Sequence, residues 1–320
     1  MNELRIVFMG TPQFAIPSLD GIYQSGHKLV GIVTQPDRPK GRGKRLAAPP
    51  VKQFALENNI TPLLQPDSLK DSQFINSLRD LKADVFVVVA FRILPEEVFS
   101  MAAKGTVNVH PSLLPKYRGA APINWAIIQG EKITGVTTIF IKKEIDAGNI
   151  IMQKEVPIKP NETAGSLHDR LADIGADLLM ESLDRIAKDT VEVMKQDEKL
   201  VTKAPKLTKE ICHLNFNQTA ESVKNWIHGL SPYPGAYALL NGNLIKIFRA
   251  DVISEDDRST LMEKLSQRPG AIVNITRQDL WVACGPGIIK ILELQMEGHR
   301  RLNTEEFLRG HRPEVGDVFC

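Results

Sequence analysis

The chain has 320 residues, 42% of them apolar and 24% charged, which suggests two domains or one large one with ample material for a buried core. The formal net charge of +2 is too small to imply a nucleic-acid partner by itself. The three cysteines lie far apart, with neither metal-ligand spacing nor a disulfide framework.

The start, MNELRIVFMG, has no long apolar leader. No stretch approaches the roughly 20 apolar residues that span a bilayer. A soluble cytoplasmic protein is the expectation, with a monomer as the default because no apolar interface stripe stands out. Residues 4–9 and 29–34 are short runs rich in β-branched residues, and 84–90 (DVFVVVA) is apolar throughout, as a strand covered on both faces should be. Strands are also predicted at 106–110 and 135–141. Helical patterns separate them at about 15–25, 49–58, 70–81 and 120–130. A longer helix is predicted over about 164–188, where Leu167, Leu171, Ile174, Leu178 and Leu183 keep near-helical spacing. Strands alternating with helices predict an α/β domain with a mostly parallel sheet. FMGTPQF (8–14) has one glycine where a dinucleotide fingerprint needs three, which argues against a nicotinamide enzyme.

The pattern changes near 190. Residues 193–210 are polar and Lys-rich, and read as a linker or exposed connection. After a helix at about 218–229, two strand-like runs flank Asn241-Gly242, a strong hairpin signal. Further strands are predicted at 271–275, 279–284 and 288–295, making a smaller β-rich domain, plausible as a barrel. The expected boundaries are a catalytic domain over 1–192, a linker over 193–208 and a second domain over 209–320.

Asn108 and His110 are two residues apart in a strand pattern, so both side chains share one face and Val107 and Val109 take the other. The strand stops at Pro111. In open α/β sheets, ligands bind beyond the carboxyl ends of strands, where these two sit. Asp146 follows the next strand in a Gly-containing loop and reaches the same rim if the two strands are neighbours. The residue types suit acyl chemistry. His carries a proton near neutrality, a carboxylate orients the imidazole, and an Asn amide donates to a developing oxyanion. No Ser, Cys or Lys nucleophile accompanies them, so direct attack by an external amine is the natural step. On spacing alone, two residues capping a strand edge and a third capping a turn are an equal reading.

The surrounding sequence separates the two. NVHPSLLPKYRGAAPINWAI (108–127) followed by VTTIFIKKEIDAGNII (136–151) resembles the folate-dependent formyltransferase family. The resemblance implies a Rossmann-like N-terminal domain with a mostly parallel sheet. It implies 10-formyltetrahydrofolate as the formyl donor and no metal; the scattered histidines show no metal-ligand spacing either. It makes Asn108, His110 and Asp146 the catalytic residues. It places Ser112, Leu113, Leu114 and Pro115 next to the folate pocket, and Phe91, Arg92, Ile93 and Leu94 along the pterin. Two departures stand out. The family often shows Tyr-Gly where this chain has Phe91-Arg92, and IDTG is commoner than the present IDAG.

Residues 38–45 carry five positive charges, Arg38, Lys40, Arg42, Lys44 and Arg45, and no negative one. Gly41 and Gly43 and the flanking prolines forbid a regular helix, so a mobile basic loop is expected on the catalytic rim. Such a loop suits phosphate contacts; a solvated surface loop is the bland alternative. It resembles the insertion that marks the family members acting on an aminoacyl-tRNA, where the position of Arg42 discriminates the acceptor end. The implied acceptor is initiator methionyl-tRNA. Residues 231–247 and 301–319 resemble the OB-like C-terminal barrel of those members, which contacts tRNA. Residues 203–320 carry 15 basic and 14 acidic side chains, so any RNA contact there needs clustered charge. Lys203, Lys206 and Lys209 could line the path between domains. A formyltransferase for a small amine and a non-catalytic RNA-binding protein are the competing readings. The basic loop argues against the first, and the intact Asn-His-Asp set against the second.

Overall fold

The structure, a computed structural model, describes residues 3–40, 45–254 and 268–320, without the side chains of Lys40 and Arg45. The chain divides into two compact units: Met1–Gly119 with Ile133–Pro157 and His168–Ala204, and Ala120–Lys132 with Ile158–Leu167 and Pro205–Cys320.

The chain runs β1 (Arg5–Gly10), α1 (Ile16–Gln24), β2 (Lys28–Val33), β3 (Arg38–Lys40), β4 (Arg45–Ala47), α2 (Pro50–Glu57), β5 (Leu63–Leu64), α3 (Ser72–Asp80) and β6 (Val85–Val89). It continues through α4 (Glu96–Phe99), β7 (Thr106–His110), β8 (Arg118–Gly119), α5 (Pro122–Ile128), β9 (Ile133–Phe140), β10 (Ile150–Pro157), α6 (Ala164–Ala187) and β11 (Lys203–Ala204). The main sheet of the first unit has seven strands in the order β10-β9-β7-β6-β1-β2-β5. Pairings from β7 through β5 are parallel, whereas the β7–β9 and β9–β10 pairings are antiparallel. The predicted mostly parallel sheet is therefore present, with an antiparallel edge.

Composition explains the centre of this sheet. All five residues of β6, VFVVV, are buried, as are Val7, Phe8 and Met9 of β1. Each such side chain contributes about 1.5–3 kcal/mol on burial. Asp71 caps α3 by accepting from Phe74 N at 3.0 Å, and Phe74, Ile75 and Leu78 turn its apolar face into the core with Met9 and Val33. The chain winds from β1 to β2 and β5, then returns to β6 on the other side of β1. The carboxyl ends of β1 and β6 thus flank a topological switch point, where α/β sheets bind ligands.

In the second unit, α7 (Ala220–Gly229) precedes β12 (Ala236–Leu240), β13 (Asn243–Val252), β14 (Ile272–Ile275), β15 (Leu280–Ala283), β16 (Ile288–Met296), β17 (Leu302–Asn303) and α8 (Thr304–Gly310). The predicted Asn241-Gly242 turn joins β12 to β13. The antiparallel order is β12-β13-β16-β15-β14, with β17 on β16. The chain's tail closes the sheet. Ala271 bridges Val318, Leu240 bridges Phe319, and Leu239 and Cys320 exchange hydrogen bonds at 2.7 and 2.9 Å. Apolar residues of α7, such as Val223 and Ile227, share one core with Ile245, Ile289 and Phe307. His228 lies in it at 3% exposure, its Nε2 accepting from Ala250 N at 3.3 Å.

Candidate active site

Strand alternation positions the first two residues. Val107 and Val109 are buried, Val109 against Gly175 of α6. Asn108 and His110 take the opposite side, in register with Ile139 and Thr137 of β9. His110 is 4% exposed, and its Nε2 lies 3.0 Å from the carbonyl of Tyr117. A carbonyl only accepts, so Nε2 carries the hydrogen. Nδ1 is thereby the ring nitrogen without a scaffold partner, and it faces Asp146 Oδ1 at 3.7 Å. That separation exceeds a hydrogen bond. Asn108 is half-buried, and its carboxamide has no hydrogen-bond partner among the described residues.

Asp146 arrives from the loop after β9, because β7 and β9 are neighbours. Its backbone is left-handed, φ 55°, an uncommon state for a residue with a Cβ. Its Oδ2 accepts from Gly119 N at 2.9 Å, leaving Oδ1 toward His110. Gly148 completes the loop, where a Cβ would overlap the carbonyl oxygen of Phe140.

Neighbouring residues hold this geometry. Gln196, 5% exposed, donates from Nε2 to the carbonyls of Asp146 (2.7 Å) and Gly148 (2.8 Å). Its Oε1 accepts from Arg118 Nε (3.0 Å) and Nη2 (2.8 Å). Arg118 also pairs with Glu198 at 2.8 Å, and this hydrogen bond holds the Glu198 carboxyl below its ordinary value. Residues 193–204, which read as a spacer, therefore pack against the loop that carries Asp146. Lys203–Ala204 pairs in parallel with Arg118–Gly119, and Thr202 Oγ1 accepts from Tyr117 N at 2.8 Å. Gln196, Arg118 and Gly119 are absent from the residues singled out by sequence, since a lone Gln in a polar stretch carries no pattern.

The expected folate-side residues are divided. The 91–94 segment leaves β6 beside β7, with Val88 in register with Asn108. Ile93 is 72% exposed and Phe91 half-buried, whereas Leu94 is buried. Arg92 bonds the carbonyls of Asp67 (2.9 Å) and Pro66 (2.8 Å) and lies 5.3 Å over Phe91. Burial, and next the charge of Arg38, push its guanidinium below the usual arginine value. Ser112 and Leu114 point inward. Ser112 Oγ donates to Lys116 O at 2.7 Å, and Leu114 packs with Ile139 and Ile150. Leu113 and Pro115 are part-exposed. Thr137, also not singled out by sequence, pins this turn by donating to Ser112 O (2.6 Å) and accepting from Leu114 N (3.2 Å).

The expected basic loop is in part a ribbon. β3 pairs antiparallel with β4, matching Lys40 to Arg45, because its flanks run extended through Pro39 and Leu46. Arg42 and Lys44 lie outside the described residues. Arg38 is exposed at the ribbon's base. There Asp37 binds Lys52 at 2.8 Å and Gln65 at 3.1 Å, contacts that lower the Asp37 carboxyl. Lys206 is exposed in the second unit. Among the described residues, no helix is long and apolar enough to cross a membrane, and no group of His, Cys, Asp or Glu is arranged to hold a metal ion.

Residues 4–183 match the family model for formyl transferase, and residues 206–312 match that for the formyl transferase C-terminal domain. The chain belongs to the formyl transferase family. Among its relatives, the methionyl-tRNA formyltransferase of Acetivibrio thermocellus is 43% identical over 98% of this chain and 99% of its own. That of Syntrophus aciditrophicus is 44% identical over 99% of both. Solved structures share the fold at lower identity. An N-formyltransferase from Helicobacter canadensis, in complex with folinic acid and dTDP-3-aminofucose, gives a TM-score of 0.67 at 22% identity, covering 92% of this chain and 99% of its own. HypX from Aquifex aeolicus with tetrahydrofolic acid gives 0.65 at 18% identity, covering 99% of this chain and 51% of its own.

Proposed function

We propose that the protein transfers the formyl group of 10-formyltetrahydrofolate to the α-amine of initiator methionyl-tRNA, with Asn108, His110 and Asp146 as catalytic residues. The observation that carries this reading is the gathering of those three side chains at the carboxyl end of β7, in a chain matching methionyl-tRNA formyltransferases end to end.

The neutral amine attacks the formyl carbon, forming a C–N bond. The oxyanion meets the Asn108 amide and, in the protonated ring, the His110 Nδ1–H. The Asp146 carboxylate compensates the imidazolium charge. The amine gives up one proton and the departing folate nitrogen takes one, so the exchange balances with a single shuttling group. Within the His110–Asp146 pair, Asp146 Oδ1 and His110 Nδ1 are the atoms not committed to the scaffold, and they stand 3.7 Å apart. Donors that strengthen only as charge develops raise turnover more than ground-state binding.

The residues beside β7 suit a folate. Exposed Ile93 and half-buried Phe91 offer an apolar face to a pterin next to the Asn108 strand. Arg38, Lys40, Arg42, Lys44, Arg45 and Lys206 would neutralise tRNA phosphates. The test is formyl transfer from 10-formyltetrahydrofolate to methionyl-tRNA, compared with free methionine and small amines. Strong preference for the aminoacyl-tRNA is expected; transfer to no aminoacyl-tRNA overturns the reading.

A further inference from the structure

One short stretch, 117–119, binds both members of the His110–Asp146 pair: the Tyr117 carbonyl takes His110 Nε2–H, and Gly119 N–H takes Asp146 Oδ2. That stretch fixes one oxygen of the Asp146 side chain but leaves its main chain unheld. The main-chain partner is Gln196. Both hydrogens of its amide nitrogen and both lone-pair directions of its amide oxygen are used, at 2.7, 2.8, 3.0 and 2.8 Å, which fills the carboxamide's bonding capacity. Two carbonyls on one side and a guanidinium on the other allow one orientation of the amide only. A buried, fully satisfied polar group of this kind specifies geometry. The geometry it specifies is the left-handed backbone of Asp146, φ 55°, a state that persists only where its surroundings over-determine it.

We propose that Gln196 is a positioning residue. It holds the Asp146 main chain, and thereby keeps the uncommitted Oδ1 facing His110 Nδ1. Arg118 orients Gln196 in turn, its guanidinium held from outside by Glu198. This role rests on the reaction proposed above. Displacing Asp146 leaves the substrate-binding segments 91–94 and 112–115 in place, so turnover suffers and binding does not.

Two variants test it. Gln196→Met keeps the side chain's length and removes every hydrogen bond. Gln196→Glu keeps an acceptor for Arg118 but sets carboxylate oxygens against two carbonyls. For Gln196→Met we expect kcat to fall about 10- to 100-fold, with KM for each substrate within about twofold. Gln196→Glu falls likewise at neutral pH. Relative to wild type at the same pH, it recovers as pH is lowered, since the protonated acid regains one donor. Hydrogen exchange at the Gly119 amide, which Asp146 Oδ2 protects, quickens in both. An unchanged kcat, an effect on KM alone, or a fall in kcat with Gly119 protection intact overturns the proposal. If the Met variant loses its cooperative melting transition, the pH-dependent recovery of the Glu variant decides. If the wild type transfers no formyl group to any aminoacyl-tRNA, the functional reading falls, and Gly119 exchange still decides whether Gln196 holds the loop.

Discussion

Gly119→Ala concentrates the site's geometry into one methyl group. Gly119 has φ +130°, and a Cβ there would lie 2.5 Å from the carbonyl oxygen of Ala204. Ordinary contact begins near 3.4 Å, so β8 and β11 must part by about 1 Å at this point. The Gly119 amide that holds Asp146 Oδ2 moves with them. Misplacement of about 1 Å costs on the order of 100-fold in rate. The backbone strain of a Cβ at positive φ adds about 1–3 kcal/mol to the fold's cost. The assay is steady-state formyl transfer with the melting temperature measured in parallel. We expect kcat to fall about 100-fold while folate KM stays within about threefold, because Arg92 is anchored on Pro66 and Asp67 and the 112–114 turn on Thr137. A variant with wild-type kcat would refute the claim that this close approach sets the carboxylate.

His110→Ala should lower kcat about 10²- to 10⁴-fold, and Asn108→Ala about 10²- to 10³-fold, with tRNA binding retained in a filter-binding assay; unchanged turnover in either removes that residue from the chemistry. Arg42→Ala should weaken productive use of tRNA and reduce the slope of log affinity against log salt by about 1, whereas free-methionine controls stay flat; an unaltered salt slope removes Arg42 from the phosphate contacts. His228 is pushed down to about 4, first by burial and then by the Lys224 charge, so the folded state holds it neutral while the unfolded state, near 6.5, binds a proton. Its contribution is complete above pH 6.5 and is lost as pH falls toward 4, at most about 3 kcal/mol, so the resistance of the wild type to urea should weaken as pH falls over that window more than that of His228→Gln; equal pH dependence contradicts this.

Most of the first sheet was legible because its strands announce themselves: five consecutive buried residues in β6, and the Asn-Val-His alternation in β7. Local patterning also located the hairpin at Asn241-Gly242 and the helices α1, α2, α3, α5, α6 and α7, since each depends on neighbours within a few residues. The ribbon at Arg38–Lys40 and Arg45–Ala47 escaped notice because the glycines and charges between its strands dominate the reading. Apart from the family resemblance, Asp146 was legible only through topology: it needed β7 and β9 to be adjacent. Gln196 was not legible at all. Its partners Asp146 and Arg118 lie 50 and 78 residues away along the chain, and no periodicity spans such distances.

That division follows the division of labour inside the site. Each member of the His110–Asp146 pair has one atom bound to the scaffold and one that is not: Nε2 goes to Tyr117 and Oδ2 to Gly119, while Nδ1 and Oδ1 face each other. The residues to which the proposed reaction assigns chemistry carry titratable or polar groups, so their types reveal them in sequence. The residues that hold the committed atoms do so with a carbonyl, an amide and a carboxamide, groups every chain has in quantity. Preorganised sites owe their rate to such fixed dipoles, which need not reorient as charge develops. On the proposed reaction, the 117–119 and 196–204 segments act on turnover through position alone, and a change in the length of the chain between α6 and β11 should register in kcat before it registers in the affinity for either substrate.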